Sequence, residues 1–364
     1  MKDGRYDRQI ILPEIGRKGQ QKLGNARVLV VGAGGLGCPA LMYLAAAGIG
    51  KIGIVDGDRV ALNNLHRQVL YSDSDIGTFK ASTAAKAVKK LNPTVKVDVH
   101  ILFLNTENVF QLLDKYDLVI DGTDNYPSRY LLNDACVLTG TPLIYGAIYR
   151  FEGQVGVFNY QGSPNYRDLF PQSPRKTVDC SSVGVMGILP GIVGTYQAAE
   201  AIKIITGIGQ PLTSKILYID ILKGIQNTFN YSKTSFKHGT MPSNKAQLLT
   251  WDYGQICLGE STTKAITEAH FKTLLLRDDI VFLDVREPDE LPRWEDPRVF
   301  SIPLTSLQEG IHKIPKSKEY VLFCQMGFRS LKAMQILRPL MPDKALSYIP
   351  FSINKILQYA AHMD

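Results

Sequence analysis

The chain has 364 residues, 45% of them hydrophobic, and carries a formal charge of +7 spread along its length. Such a length suits two domains with ordinary cores, no apolar run approaches the ~20 residues of a membrane span, and a diffuse positive charge favours acidic partners without pointing to nucleic acid. Five cysteines stand at 38, 136, 180, 257 and 324, odd in number and never in a C-x-x-C pair, which argues against a disulfide framework and against a cysteine-rich zinc site.

Residues 1–26 form a polar, basic lead-in without signal-peptide character, so a cytoplasmic protein is expected. It contains Arg5-Tyr-Asp-Arg-Gln-Ile-Ile-Leu-Pro13, in which Arg8 by itself reads as a solvated arginine. The apolar run Val28–Val31 then enters a glycine cluster at Gly32, Gly34, Gly35 and Gly37, followed by an alanine-rich segment from Pro39 to Gly48. This pattern reads as buried strand, tight turn and helix. Glycines let the turn approach a phosphate closely, and the helix aims its free N–H groups and positive end at it. Many glycine turns bind nothing; the flanking strand and helix favour a nucleotide site here.

A second strand, 51–55, ends in Asp56-Gly-Asp58, placing an acid about 20 positions past the glycines, where the fold binds ribose hydroxyls; a plain turn aspartate is the alternative. Asn63, Asn64, Leu65, His66, Arg67 and Gln68 follow, amides and one arginine together, which is not a hydride-transfer signature. Lys80 opens a helix to Leu91 that Asn92-Pro93 ends. Strands at 95–100, 117–121 and 142–147, with helices near 106–114 and 128–138, complete a βαβ series, hence a doubly wound, mostly parallel sheet. Its strand Leu118–Asp121 runs into Gly122-Thr-Asp124-Asn125, at the strand end where such sheets bind ligands.

Beyond Ile148 the pattern changes to added, alternating strands at 151–158, 215–220 and 225–230, around a helix from Gly187 to Thr206. Residues 160–185 form a long loop carrying Cys180. Residues 231–261 are polar and irregular and read as a flexible linker, of about 30 Å root-mean-square span. A second α/β unit follows, with a helix at 266–276, a strand at 280–285 ending in Asp284-Val-Arg-Glu287, a strand at 319–323, the loop Cys324-Gln-Met-Gly-Phe-Arg329-Ser, and a helix at 330–340. The expected division is 1–230, linker 231–261, and 262–364.

The first unit resembles the activating enzymes of ubiquitin-like proteins, above all the molybdopterin-synthase and thiamine-biosynthesis adenylyltransferases. The resemblance rests on Arg5-Tyr-Asp-Arg-Gln-Ile, Gly32–Gly37, Asp56-Gly-Asp58, Asn63–Gln68, Lys80, Asp121–Asn125, Glu152-Gly-Gln154 and Gly184-Val-Met186, in the family's order. It implies a Rossmann-like domain that adenylates the C-terminal glycine of a small ubiquitin-fold sulfur carrier ending in Gly-Gly, using ATP and magnesium. It also implies a homodimer in which Arg8 reaches the other subunit's nucleotide. Within that picture Arg67 and Lys80 suit phosphate clamping, Asp124 the magnesium, Asp56 the ribose, and Asn64 a phosphate or the reacting carboxyl. The family commonly holds zinc with two C-x-x-C pairs; this chain has Asn165 and Asp168 where the first would fall and lacks the second, so no structural zinc is expected and local stability is assigned to packing. Cys180 matches the family's cysteine that can hold the carrier as a thioester or acyl disulfide, or is merely tolerated. Cys38 and Cys136 read as core.

The second unit resembles a rhodanese domain through Asp284–Glu287, Ile302-Pro303-Leu304 and the Cys324–Ser330 loop. In such a loop backbone N–H groups and the helix dipole surround the sulfur, lower the thiol pKa and stabilise a persulfide, while Arg329 adds charge and orders the loop. Together the units imply adenylation followed by sulfur transfer to a thiocarboxylate, with a persulfide donor such as a cysteine desulfurase. An activating enzyme for a protein-conjugated modifier is the alternative. A dehydrogenase on the same glycine turn would leave Arg8, Arg67, Lys80 and Asp124 without roles.

Overall fold

The computed structural model describes residues 4–171, 184–234, 241–253 and 264–361, apart from 289 and 326. Its contacts separate into two compact units, Met1–Cys257 and Leu258–Asp364.

The first unit runs α1 (Asp7–Ile10), α2 (Gly16–Asn25), β1 (Arg27–Val31), α3 (Gly37–Ala47), β2 (Lys51–Val55), α4 (Lys80–Leu91), β3 (Lys96–His100), α5 (Val109–Leu113), β4 (Leu118–Asp121), α6 (Tyr126–Thr139), β5 (Leu143–Tyr149), β6 (Glu152–Phe158), α7 (Tyr166–Leu169), α8 (Ile188–Thr206), β7 (Lys215–Asp220), β8 (Ile225–Asn230) and α9 (Lys245–Leu249). One sheet has the order β3-β2-β1-β4-β5-β6-β7-β8. Its first five strands are parallel and the last three antiparallel. The period-2 alternation of β1 explains the layering. Val28 and Val30 face the core shared with Leu41, Leu44, Ala84 and Ala198 of α3, α4 and α8. Leu29 and Val31 face the opposite core, with Leu112 of α5 and Tyr130 and Leu132 of α6. A fully covered parallel sheet needs strands that are apolar on both faces, and β1, β2 and β4 are. α3 is apolar all round because it is buried nearly all round.

The structure corrects the expected linker 231–261 over its described residues. Tyr231 packs edge-on against Phe158, the Thr234 N–H reaches Asp168, Leu248 of α9 is fully buried, and the Tyr253 hydroxyl donates to Asp134. These residues are polar in composition yet closely held, so residues 231–234 and 241–253 belong to the first unit. The loop 160–185 is likewise structured where it is described: residues 160–171 include α7, whose Tyr166 and Arg167 are 1% exposed.

The second unit runs β9 (Lys264–Ala265), α10 (Glu268–Leu275), β10 (Ile280–Asp284), β11 (Val299–Ser301), β12 (Glu319–Phe323), α11 (Phe328–Leu340), β13 (Ala345–Tyr348) and α12 (Ile353–Ala360). Its sheet is all parallel in the order β11-β10-β12-β13-β9. β10 and β12, central and apolar, split two cores between their faces as β1 does.

Candidate nucleotide site and cysteine loop

β1 pairs with β2 on one side and β4 on the other, so their carboxyl ends open at the crevice where the strand order reverses, a ligand position in such sheets. The turns after β1 and β4 interlock there. A Cβ on Gly32, at φ 94°, would lie 2.5 Å from the Gly122 carbonyl oxygen, and one on Gly37 would lie 1.9 Å from the Gly32 oxygen. Both positions therefore require glycine.

The Asp56 carboxylate accepts from the N–H groups of Ala33 and Asp58, each at 2.8 Å. Desolvation pushes this carboxyl up to about 6, against the pull of Lys80. Lys80, the first residue of α4, extends its ammonium to Asp58 at 3.1 Å. Burial disfavours that charge, but Asp58, Asp56 and Asp124 outweigh it and hold Lys80 above the ordinary lysine value. The segment 62–68 folds over the glycine turn. A Cβ on Gly34 would lie 3.6 Å from the Gln68 amide nitrogen, and one on Gly35 equally far from the Arg67 side chain. Gln68 is buried, with its Nε2 beside Gly34 and its Oε1 without a hydrogen-bond partner. Turn N–H groups, a buried ammonium, a guanidinium and the amide nitrogen of Gln68 together suit a polyphosphate.

Asp124 is exposed on the turn after β4. Two residues that sequence reasoning missed hold that turn. Asp121 is fully buried, accepts from the Thr123 N–H and hydroxyl, and pairs with Arg129 at 3.3 Å; Arg129 also donates to the Thr123 carbonyl. Tyr71 is the third omission. Its buried hydroxyl lies 2.7 Å from the Ala33 carbonyl and 3.2 Å from that of Lys80, bracing the glycine turn against the lysine. A buried polar tyrosine inside an apolar core leaves no sequence periodicity of its own.

The structure thus brings together Gly32, Gly34, Gly35, Gly37, Asp56, Asp58, Arg67, Gln68, Lys80 and Asp124. Other members of the predicted set have structural tasks. Leu65 packs on the core. The Asn125 side chain caps α6 by accepting from the Ser128 N–H, and the Asn63 carbonyl accepts from Arg67. The Asn64 amide donates to the Asn63 side chain, and His66 is exposed with its carbonyl against Gly187. Arg8 lies on α1, exposed. Tyr6 and Gln9, on either side of it, contact Gly48 and Ala47 at the carboxyl end of α3, whereas the glycine turn is at the amino end. An 11-residue helix spans about 16 Å, so the two lie at opposite ends of α3. Cys180 falls outside the described residues. Cys38 and Cys136 are fully buried, and burial pushes the Cys38 thiol up to about 12.

Near Asn165 and Asp168 a polar clamp adds to the packing of Tyr166 against Tyr130, Phe158 and Phe170. Arg167 makes two bonds of 2.7 Å to the fully buried Asp134 carboxylate, which also accepts from Tyr253. Asp168 accepts from the N–H groups of Asn165 and Thr234 and from the Thr234 hydroxyl. Among the described residues no three His, Cys, Asp or Glu side chains gather to hold a metal.

In the second unit the Cys324–Ser330 loop joins β12 to α11. Gly327, at φ 86°, has the Pro350 backbone 2.7 Å from where its Cβ would be, and its N–H points at the Cys324 sulfur at 3.1 Å. The thiol, 2% exposed, lies 3.7 Å from the Ser330 hydroxyl. Arg329 forms a two-pronged pair with Glu290, its Nη2 bond being 2.6 Å. Its positive charge is met by that carboxylate.

Comparison with known proteins follows this division. The model of the ThiF family matches residues 6–239. The chain is 40% identical over 347 residues to a "Probable adenylyltransferase/sulfurtransferase MoeZ" of Mycobacterium tuberculosis, covering 91% of this chain and 86% of the relative. It is 36% identical over 367 residues to "Adenylyltransferase and sulfurtransferase MOCS3" of Arabidopsis thaliana, covering 92% and 79%. A "Sulfur carrier protein adenylyltransferase" of Thermus thermophilus is 50% identical over 226 residues, 60% of this chain and 83% of that one. A crystal structure of E. coli MccB with ATP superposes with a TM-score of 0.56 at 23% identity, over 64% of this chain and 73% of that one, a likeness of fold.

Proposed function

Because the chain belongs to the ThiF family, we propose that its first unit uses ATP to adenylate the C-terminal glycine of a small ubiquitin-fold sulfur carrier, and that its second unit supplies the sulfur that turns the activated carboxyl into a thiocarboxylate. The observation that carries the reading is the gathering of Lys80, Arg67, Gln68 and Asp124 around an interlocked glycine turn, on a chain whose relatives are named for both activities along most of its length.

In this reading the glycine-turn N–H groups and α3 receive the phosphates, Arg67 and Lys80 offset their charge, and Asp56 holds the ribose. Asp124 would hold magnesium, which supplies further charge neutralisation between phosphate oxygens. The carrier carboxylate attacks the α-phosphorus, the bond to pyrophosphate breaks, and the protein contributes positioning and charge stabilisation. The Cys324 persulfide then attacks the acyl carbonyl, directly or after acyl transfer to Cys180, and AMP or the Cys180 thiolate leaves. A thiolate, that of Cys180 or of an external thiol, then attacks the Cys324 sulfur of the resulting acyl disulfide, so that the thiocarboxylate leaves and a disulfide remains on Cys324 for a thiol reductant to open. Arg8, at the far end of α3 from its own glycine turn, serves the nucleotide of a second subunit in a homodimer. The donor of the persulfide is a cysteine desulfurase or a carrier like it, and the protein works in the cytoplasm.

ATP–pyrophosphate exchange with a diglycine-ended carrier tests the first half. Asp124→Ala should abolish exchange while remaining folded, and exchange at the wild-type rate would remove Asp124 from the site. Cys324→Ala should spare exchange and abolish thiocarboxylate formation, read as the mass of the carrier.

A further inference from the structure

The cation count around the Cys324 loop deepens the sulfur-transfer reading on which it rests. Arg329 is held by both oxygens of Glu290. Glu290 is itself fixed, its carboxylate accepting from the Glu287 N–H at 2.9 Å and its own N–H reaching the Glu287 carbonyl at 3.1 Å. Arg286, fully buried, makes two bonds to Asp284 and one to the side chain of Gln325, the residue next to the cysteine. Arg293 is divided between Asp284 and the Glu287 carbonyl. Arg286, Arg293 and Arg329 therefore each meet a carboxylate. Lys332, one turn into α11, also has a partner.

We propose that Glu290 is a specificity-determining residue: by occupying Arg329 it denies the Cys324 loop the cation that a small oxyanion donor such as thiosulfate requires, and reserves the cysteine for sulfur delivered as an organic persulfide. In the accepted reaction the Cys324 thiolate attacks the terminal sulfur of R–S–SH. A new S–S bond forms, the donor S–S bond breaks, its electron pair leaves with R–S⁻, and the proton stays on the transferred sulfur or passes to water. No external oxidant or reductant is needed. The same attack on thiosulfate releases sulfite, but it brings a dianion to a thiolate, and the loop must compensate that repulsion with a free positive charge. Backbone N–H groups alone serve the single sulfur.

The test uses the full-length chain and three readouts at Cys324: loading from cysteine persulfide by mass spectrometry, thiosulfate-to-cyanide transfer, and the ratio of alkylation rates by iodoacetate and iodoacetamide. The wild type should load from the persulfide and turn over thiosulfate poorly. Glu290→Gln should raise kcat/KM for thiosulfate about tenfold and raise the iodoacetate preference alongside, as a released guanidinium attracts anions. The double variant Glu290→Gln/Arg329→Met, which releases no cation, should lose both gains, with its iodoacetamide rate reporting that the loop is intact. A single variant with no gain would overturn the proposal, and so would a double variant that keeps the gain. A wild-type Cys324 that loads from neither donor would instead overturn the sulfur-transfer reading itself, which separates the two failures.

Discussion

Asp56 shows what a carboxylate costs where a nucleotide site needs it. Its folded value of about 6 lies above the unbound 3.8, so folding favours the protonated form. Stability is fully present below the unfolded value and declines as pH rises through the folded one, by on the order of 3 kcal/mol for a shift of this size. Asp56→Asn should therefore raise the melting temperature more at pH 8 than at pH 5 while weakening ATP binding. An equal change at both pH values would show that the carboxyl does not titrate in this window. Tyr71 makes the complementary case. Tyr71→Phe removes the brace between the Ala33 and Lys80 carbonyls without changing packing volume, at a net cost of about 1 kcal/mol. The expected outcome is a raised KM for ATP in pyrophosphate exchange with kcat for the bound complex less affected. A lowered melting temperature with unchanged KM would make Tyr71 a core residue only.

Among the elements, the Asp134–Arg167 pair draws the segment through Tyr253 onto α6 and α7. Arg167→Ala leaves a buried carboxylate with its main partner gone and should cost about 3–5 kcal/mol in denaturant titration. Replacing both partners, Asp134→Leu with Arg167→Met, should recover part of that loss, and a chelator should leave the wild-type transition in place. This element also marks where the sequence stops being legible. The parallel strands announce themselves, because β1, β2 and β4 are apolar on both faces and end in glycine or acid. The phosphate-facing residues are legible for the same reason: short spacing fixes them to strand ends. β11 and β13 are three and four residues long, too short for periodicity to register. The segment 241–253 reads as linker because only Pro242, Leu248 and Tyr253 of it are buried, and the partners of Leu248 and Tyr253 lie more than 100 residues earlier in the chain. Polar partners such as Asp134 and Tyr253, across 119 residues, or Asp121 and Arg129, across one turn, are chosen by the fold and not by a local pattern.

At the scale of the whole molecule, the position of Arg8 carries a testable consequence. If Arg8 completes the other subunit's site, a dimer of one Arg8→Ala chain and one Asp124→Ala chain holds one site with both residues intact. Mixing the two inactive variants under verified exchange should then restore a fraction of the pyrophosphate exchange, up to about a quarter of wild type for random pairing, since half of the dimers have half of their sites complete. Inactive mixed dimers would place Arg8 within its own chain's site.

The switch in the large sheet from parallel to antiparallel has a consequence in time. β5 with β6 and β7 with β8 form two local hairpins: Tyr149 pairs with Glu152 across a two-residue turn, and Asp220 with Ile225. β1 must instead wait for β4, since Val28 pairs with Leu118. Closing small loops costs little chain entropy and closing large ones costs more, so local pairings form early and distant ones late. The two hairpins can form while the nucleotide half is still open chain, and the crevice between β1 and β4 is among the last features to exist. A chain refolding from full length thus forms its late strands before it has any capacity to bind nucleotide, and ligand in the surroundings can stabilise the finished molecule without accelerating its formation.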